Sequence, residues 1–337
     1  MMNSSDEILD FAELGKTLRA LTHEQIKALH AEAGMRNPWF TFDNVKRALE
    51  AIGEMLDEKV LIAWASRYTR KNKSAQRIGV VMAGNIPLVG FHDFLCVLVS
   101  GHILMAKLSS DDEVLMKHIF SMLCKINPKY NERVFFVERL KDIHAVIATG
   151  SNNTARYFEY YFSKYPHIIR KSRTSVAVLM GDETEQDMKA LAEDVFSYFG
   201  LGCRNVSKIF VPESYPLGRM VSAFQHYSDI INHTKYANNY EYNKAIYMLK
   251  PVLHLDAGFF LLTESEQLFS PIAVVYYQKY RNMDELKKHL DSIKNNLQCV
   301  VCKHKIIDTA VPPGKAQRPT LYDYADGINT MEFLHVL

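Results

Sequence analysis

The sequence predicts an α/β fold, two parallel-sheet domains behind an N-terminal helical segment. Three observations carry this. Residues 6–74 show apolar spacing of helical period, and from Arg77 to about Ser172 short β-branched runs alternate with helical patterns. A second series of the same kind starts at Ser175 and runs to about Cys302. Alternating strands and helices build a parallel sheet covered by helices, because a parallel connection needs a crossover long enough to hold a helix.

In the first stretch, Thr22-His23-Glu24-Gln25 has the form of a capping box, and Thr41 or Asp43 can cap the next helix. That helix carries Val45, Ala48, Leu49, Ile52 and Leu56 on one face. The charged run at residues 70–74 reads as a solvated connector. Residues 78–82 are a strand, 91–99 a helix and 102–107 a strand, and the segments 134–137 and 145–149 continue the series. In the second series, residues 175–180 and 207–212 read as strands. Between them, Met188, Leu191, Ala192, Val195 and Phe199 give a helix its apolar face. Residues 232–244 mix tyrosines with amides and read either as a solvated surface loop or as the border of a ligand channel. The expected domains are 1–172 (N-terminal helices plus a nucleotide-binding sheet), 173–305 (a cysteine-bearing sheet) and 306–337, a C-terminal segment returning to the first domain or to an interface.

Composition narrows the function classes. The chain has 337 residues, 48% of them hydrophobic and 23% charged, with a formal net charge of +2. That balance is ordinary for a globular protein and makes no case for a nucleic-acid partner. The N-terminal residues lack a basic stretch followed by an apolar one, so no signal peptide is expected. The longest clean apolar run, residues 94–106, is too short to span a bilayer. Five cysteines at irregular positions fit a reducing compartment, and the cytoplasm is the expected location. Cys299 and Cys302 have redox or zinc half-site spacing, but they lie in a strand-like run with no second pair, so they read as structural. No metal site is expected.

Chemistry concentrates at residues 199–205, Phe-Gly-Leu-Gly-Cys-Arg-Asn. They place one thiol, Cys203, between a predicted helix and a predicted strand. Gly200 and Gly202 permit a close backbone approach, and the adjacent Arg204 favours a thiolate. A lone cysteine is also a common small buried hydrophobe, so this segment alone leaves both readings open. Two further strand-to-helix junctions are polar. Gly150 and Ser151 open the predicted helix after residues 145–149, where backbone N–H groups suit a phosphate or simply take a serine cap. Asn85, between Gly84 and Pro87, can cap a helix or present its amide to a cleft. No G-x-G-x-x-G is present, so the ordinary dinucleotide fingerprint is missing.

Taken in order, these pieces resemble a family. The chain shows Gly84-Asn85-Ile86-Pro87, then residues 101–110 with Lys107 and Ser110, then Thr149-Gly150-Ser151, Gly200-Leu201-Gly202-Cys203, and Leu268-Phe269-Ser270-Pro271. The sequence resembles the aldehyde dehydrogenase superfamily, and within it the acyl-CoA reductases of the bacterial luminescence (Lux) type. Residues 202–211 and 323–334 carry the narrower likeness, and nearly the whole chain is covered. The resemblance implies an aldehyde-dehydrogenase-like fold of two Rossmann-like domains. It implies Cys203 as the nucleophile that takes an acyl group from acyl-CoA or another thioester. Asn85 would be an oxyanion donor beside the Cys203 backbone N–H. Lys107 would reach the adenosine ribose, Gly150 and Ser151 the pyrophosphate, and Phe269 the nicotinamide ribose. A homodimer is a family-level expectation.

The departures from the family are informative. Ser110 stands where many oxidising members carry a ribose-binding glutamate. A hydroxyl tolerates the 2′-phosphate that a carboxylate repels, so NADPH is the expected cofactor and NADH the alternative. Residues 169–175 lack the glutamate that activates water in hydrolysing members. Gln267 replaces a further ribose glutamate, and Ala155 a usual glycine. The expected reaction is reduction of an acyl thioester to an aldehyde through an acyl-Cys203 intermediate. His254 is a minor candidate for proton transfer. The rivals are an acyltransferase or thioesterase using the same cysteine, and a non-catalytic scaffold of the same fold.

Overall fold

A computed structural model describes residues 4–68, 74–250, 252–307 and 310–337. Most of the charged connector, residues 70–73, lies outside the described residues. The chain divides into two units, residues 1–172 with 319–337, and residues 173–318.

The first unit opens with four helices, α1 (Ser4–Arg19), α2 (His23–Arg36), α3 (Phe42–Met55) and α4 (Glu58–Ala65). Thr22 forms the capping box with Gln25, and Thr41 caps α3 by accepting from the Asn44 N–H. The apolar face of α3 is buried at Val45, Ala48, Leu49 and Ile52, and Leu56 just beyond it is fully buried. Then come β1 (Arg77–Val81), α5 (Phe91–Val99), β2 (Ile103–Lys107), α6 (Glu113–Ile126), β3 (Val134–Phe136), β4 (Ala145–Thr149), α7 (Asn152–Phe162) and β5 (His167–Arg170). The sheet order is β3-β2-β1-β4-β5, and every pairing is parallel. The connections therefore run outward in opposite directions from β1 and β4. The loops leaving those two strands flank the switch point of the sheet, the place where an open α/β sheet leaves a crevice.

The second unit contains β6 (Thr174–Val178), α8 (Glu185–Phe196), β7 (Val206–Pro212), α9 (Leu217–Phe224), α10 (Thr234–Leu249), β8 (His254–Asp256), β9 (Leu261–Glu264), β10 (Val274–Tyr280), α11 (Met283–Ile293), β11 (Leu297–Val301) and β12 (Ala310–Val311). Its sheet runs β12-β11-β6-β7-β10-β9-β8, parallel except for the β8–β9 pair. Residues 234–244 are helical, not a loop. Tyr236, Tyr240 and Asn243 recur at intervals of four and three and are buried together, and His233 caps the start. Of the two readings open for this segment, the solvated surface loop is not what forms: Tyr236 and Tyr240 are part of the helix's inward stripe.

The chain ends with α12 (Thr330–His335) in the first unit. Its anchor is a buried ion pair. Arg170, at the end of β5, donates to both carboxylate oxygens of Asp93 in α5, one at 2.8 Å, and to the Thr330 hydroxyl at 3.0 Å. Tyr324 adds a polar clip, accepting from Trp64 Nε1 at 2.8 Å and pairing with the Tyr68 hydroxyl at 2.7 Å. Breaking a buried pair costs more than deleting it whole, because one charge is left without compensation. Asp93→Ala is therefore expected to lower stability by about 3–5 kcal/mol. Asp93→Leu with Arg170→Met should recover most of that loss. Urea denaturation of the wild type and the two variants measures it.

Candidate active site

Cys203 lies in the turn between α8 and β7, and the backbone before it is unusual. Tyr198, Phe199 and Gly200 all have positive φ, 52°, 59° and 76°. Glycine takes that conformation without strain, but an aromatic residue there costs on the order of 1–3 kcal/mol. Two left-handed aromatics in succession persist only if the surroundings hold them. Phe199 packs against the His233 ring, tilted to it, at 4.3 Å between centroids. The main restraint, however, is Asn205.

Asn205 is 2% exposed and clasps the turn from its far end. Its Nδ2 donates to the carbonyls of Ser197 (2.8 Å), Asp194 (3.2 Å) and Val195 (3.3 Å), sharing two hydrogens among three acceptors. Two of those carbonyls are in the last turn of α8, where no helical N–H remains to pair them. Its Oδ1 accepts from the Gly202 N–H at 2.8 Å, and its backbone N–H donates to the Gly202 carbonyl at 3.0 Å. Strand β6 holds the turn from below. Ser175 Oγ donates to the Cys203 carbonyl at 3.1 Å and accepts from the Cys299 N–H at 3.2 Å. The Cys203 peptide is thus fixed by its two neighbours in space, while its side chain is only half-buried.

Of the other cysteines, Cys124 is likewise half-buried. Cys96, Cys299 and Cys302 are buried, and burial raises the thiols of Cys96, Cys124 and Cys302 above the ordinary value. Arg204 is half-buried. Its Nε donates to the Ala316 carbonyl, and the Ala316 N–H donates to Asp194 at 3.0 Å. Asp194 is fully buried and also accepts from the Gly314 N–H at 2.6 Å. Burial pushes its carboxyl up to about 7 against the pull of these two donors and of Arg204. Sequence reasoning missed both Asp194 and Asn205 as structural partners of the Cys203 turn. Asn205 stood in the motif without a role, and Asp194 looked like one more polar helix residue.

Phe269, 43% exposed, follows a turn held by β7. Ser207 Oγ donates to the Leu268 carbonyl at 2.7 Å, and Lys208 Nζ donates to the Glu266 carbonyl at 3.0 Å. Burial pulls the Lys208 ammonium down to about 8. The Gln267 amide oxygen accepts from the Tyr276 hydroxyl at 3.3 Å, so that side chain is engaged within the unit. His254 is in the edge strand β8, with Nδ1 2.7 Å from the Val252 carbonyl.

In the first unit, the remaining candidates share the carboxyl edge of the sheet. Lys107 ends β2, and Ser110 lies in the loop after it, both exposed. Gly150 and Ser151 follow β4, with Ser151 capping α7 by accepting from the Thr154 N–H at 3.2 Å. That cap leaves the N–H groups of Asn152 and Asn153 without intrahelical partners. Asn85 is exposed in the loop after β1. A cation, two hydroxyls and a helix N-terminus at a switch point form a donor set that fits ribose hydroxyls and phosphates.

Comparison with known proteins accords with this layout. The family model for acyl-CoA reductase (LuxC) matches residues 13–218, and the chain belongs to that family. It is therefore an oxidoreductase. No curated protein matches the sequence. Among solved structures, the chain is similar to aldehyde dehydrogenase 21 of Physcomitrella patens in complex with succinate. That match has a TM-score of 0.69 and 14% identity, over 99% of this chain and 84% of that one. An NAD+ complex of an aldehyde dehydrogenase from Bacillus cereus matches with a TM-score of 0.62 and 13% identity, over 89% of this chain and 72% of that one. The fold is aldehyde-dehydrogenase-like, as the motif order implied. Among the described residues, no helix is long and apolar enough to cross a membrane.

Two tests follow from the turn. Asn205→Ala removes the clasp and leaves buried carbonyls unpaired, so it is expected to destabilise the fold by about 2–4 kcal/mol, read by urea denaturation. Asp194 gives a pH signature. Its folded value of about 7 lies above that of an unfolded aspartate, so the folded chain keeps a proton that the unfolded chain releases. This contribution is complete below pH ~4 and declines as pH rises to about 7, by on the order of 4 kcal/mol at most. The melting temperature of wild type relative to Asp194→Asn should therefore fall from pH 4 to 7 and level off above it.

Proposed function

We propose that the protein reduces an acyl thioester, acyl-CoA in the first instance, to an aldehyde through an acyl-enzyme on Cys203. The observation that carries the reading is a half-exposed thiol on a strained, clasped turn, in a chain of the acyl-CoA reductase family. The Cys203 thiolate attacks the thioester carbonyl, the oxyanion forms, and the CoA thiolate departs as the carbonyl is restored. Asn85 donates its amide N–H to that oxyanion, together with the Cys203 backbone N–H. Donors of this kind act on charge that develops in the transition state, and losing one costs about 10²–10³ in rate.

A nicotinamide coenzyme, when bound, supplies the hydride that reduces the acyl-cysteine. The chain's part is to hold that coenzyme and to exclude water. Lys107 and Ser110 would take the adenosine ribose, Gly150 and Ser151 the pyrophosphate, and Phe269 the nicotinamide ribose. NADPH is favoured because Ser110 is a hydroxyl at the position next to the adenosine 2′ group. The exposed Asp111 beside it keeps NADH as the alternative. The resulting thiohemiacetal collapses by expelling the Cys203 thiolate, giving the aldehyde and free enzyme.

The acyl-enzyme must outlast its encounter with water. Residues 169–175 contain no carboxylate, and their arginines are committed elsewhere. Arg170 pairs with Asp93, and Arg173 donates to the Leu297 carbonyl at 3.0 Å. That stretch supplies no carboxylate base for hydrolysis.

The test is to mix the protein with NADPH or NADH and a panel of acyl-CoA thioesters, following nucleotide oxidation and trapping aldehyde. Aldehyde should form in step with nucleotide loss, vanish in Cys203→Ala, and fall about 10²–10³-fold in Asn85→Ala. CoA release without nucleotide oxidation would indicate a transferase or thioesterase. No reaction with any thioester would favour a scaffold.

A further inference from the structure

The Asn85 loop is bracketed by two buried polar side chains that the proposed chemistry does not use. Upstream, Asn37, 6% exposed in the connection between α2 and α3, directs its Nδ2 toward the Gly84 carbonyl at 3.4 Å. Downstream, Asp112, 3% exposed, accepts the Leu88 N–H on Oδ2 at 2.7 Å. Leu88 has a φ of +60°, a left-handed conformation that a leucine adopts only under restraint. Its carbonyl in turn accepts from the Phe91 N–H at 3.0 Å, at the start of α5. Backbone packing reinforces the bracket. A Cβ on Gly84 would fall 2.5 Å from Ser109 Oγ, so this loop and the loop carrying Asp112 touch main chain to side chain.

Asp112 is an unexpected residue for this task. It occupies the N-cap position of α6, where an aspartate ordinarily accepts from its own helix, yet it makes no such bond. Its Oδ1 is buried without a hydrogen-bond partner among the described residues. Both the foregone cap and the unpaired oxygen are costs of a few tenths to a few kcal/mol. Among the described residues, the hydrogen bond this side chain makes instead is the one to the Leu88 N–H, three residues from Asn85.

We propose that Asp112 is a positioning residue that sets the direction of the Asn85 amide by fixing Leu88 in its left-handed conformation. This rests on the oxyanion role given to Asn85 above. Burial raises the Asp112 carboxyl well above the ordinary range, against the opposing Leu88 bond. Asparagine has nearly the shape of the aspartate side chain and the same acceptor toward Leu88. Misdirecting a catalytic group by an ångström costs roughly 10²-fold in rate, so the effect should be large and should be felt in kcat.

The experiment combines kinetics with hydrogen exchange on the intact protein, using Asp112→Ala, Asp112→Asn, Asn85→Ala and the double variant Asn85→Ala/Asp112→Ala. Asp112→Ala should lower kcat about 10–100-fold with KM for the nucleotide nearly unchanged, and Asp112→Asn should recover most of it. In the Asn85→Ala background, Asp112→Ala should cost less than about 2-fold more, since a residue acting through Asn85 has nothing left to position. Independently of turnover, the peptide spanning residues 83–90 should exchange faster in Asp112→Ala and not in Asp112→Asn. Losses that multiply in the double variant, or exchange of residues 83–90 that Asp112→Ala leaves unchanged, would overturn the proposal. If the wild type forms no aldehyde, the functional reading fails, and the exchange result alone decides whether Asp112 holds the loop.

Discussion

The second unit's candidate site depends on one side chain, the Asn205 amide. Helix α8 ends with carbonyls that have lost their helical donors, and the chain leaves it through three left-handed residues, two of them aromatic. Neither feature is stable by itself. A single amide closes both, donating to the stranded carbonyls and accepting from the Gly202 N–H. The geometry follows from the chemistry. A short polar side chain two residues beyond Cys203 can reach back across the turn. A carboxylate supplies no donor there, and a hydroxyl has one hydrogen where the amide has two beside its acceptor oxygen. Cys203 lies inside the loop that this closure makes, with its carbonyl tied to β6 through Ser175 and its thiol left half-exposed. Rigid backbone with an accessible sulfur is what a nucleophile needs if its attack angle is to be fixed in advance.

A comparable economy holds in the first unit. The sheet order brings the loops after β1 and β4 to one switch point, with the end of β2 beside them. Asn85, Lys107, Ser110, Gly150 and Ser151 all occupy that carboxyl edge because of strand order, not because they are near in sequence. The Asn85 loop is held from behind by the buried Asn37 and Asp112 and by the close contact of Ser109 with Gly84. The C-terminal residues contribute in the same way, through Thr330 on Arg170 and Tyr324 on Trp64. Buried polar groups are costly when unpaired, so each one found paired marks a conformation that the fold specifies closely.

Much of this was legible in the sequence, for physical reasons that differ between elements. Strands such as β4 and β7 are short β-branched runs buried on both faces, and continuous apolarity marks them plainly. The helix α5 was bounded correctly because its apolar run ends at Ser100-Gly101. Helix α10 was obscured, since tyrosine and asparagine serve equally on a surface and in a polar-edged core, and its periodicity came from aromatic residues with hydroxyls. Family resemblance supplied the roles proposed for Cys203 and Asn85, while the residues packed around their loops carried no sequence signal. Asp112 reads as a helix cap, and Asp194 reads as a solvated helix position. Each works through a contact with a distant loop, Leu88 in one case and residues 314–316 in the other. A pattern of local spacing cannot reveal contacts of that kind.

The most direct test of the account is to ask where the acyl group goes when no reductant is present. The protein is incubated with an acyl-CoA and no nicotinamide nucleotide, then digested and analysed by mass spectrometry while released CoA is counted. The account predicts one acyl group per chain, on the peptide containing Cys203, with one CoA released and no continued turnover. An acyl group on Cys124, continuous release of CoA, or no adduct at all would contradict it.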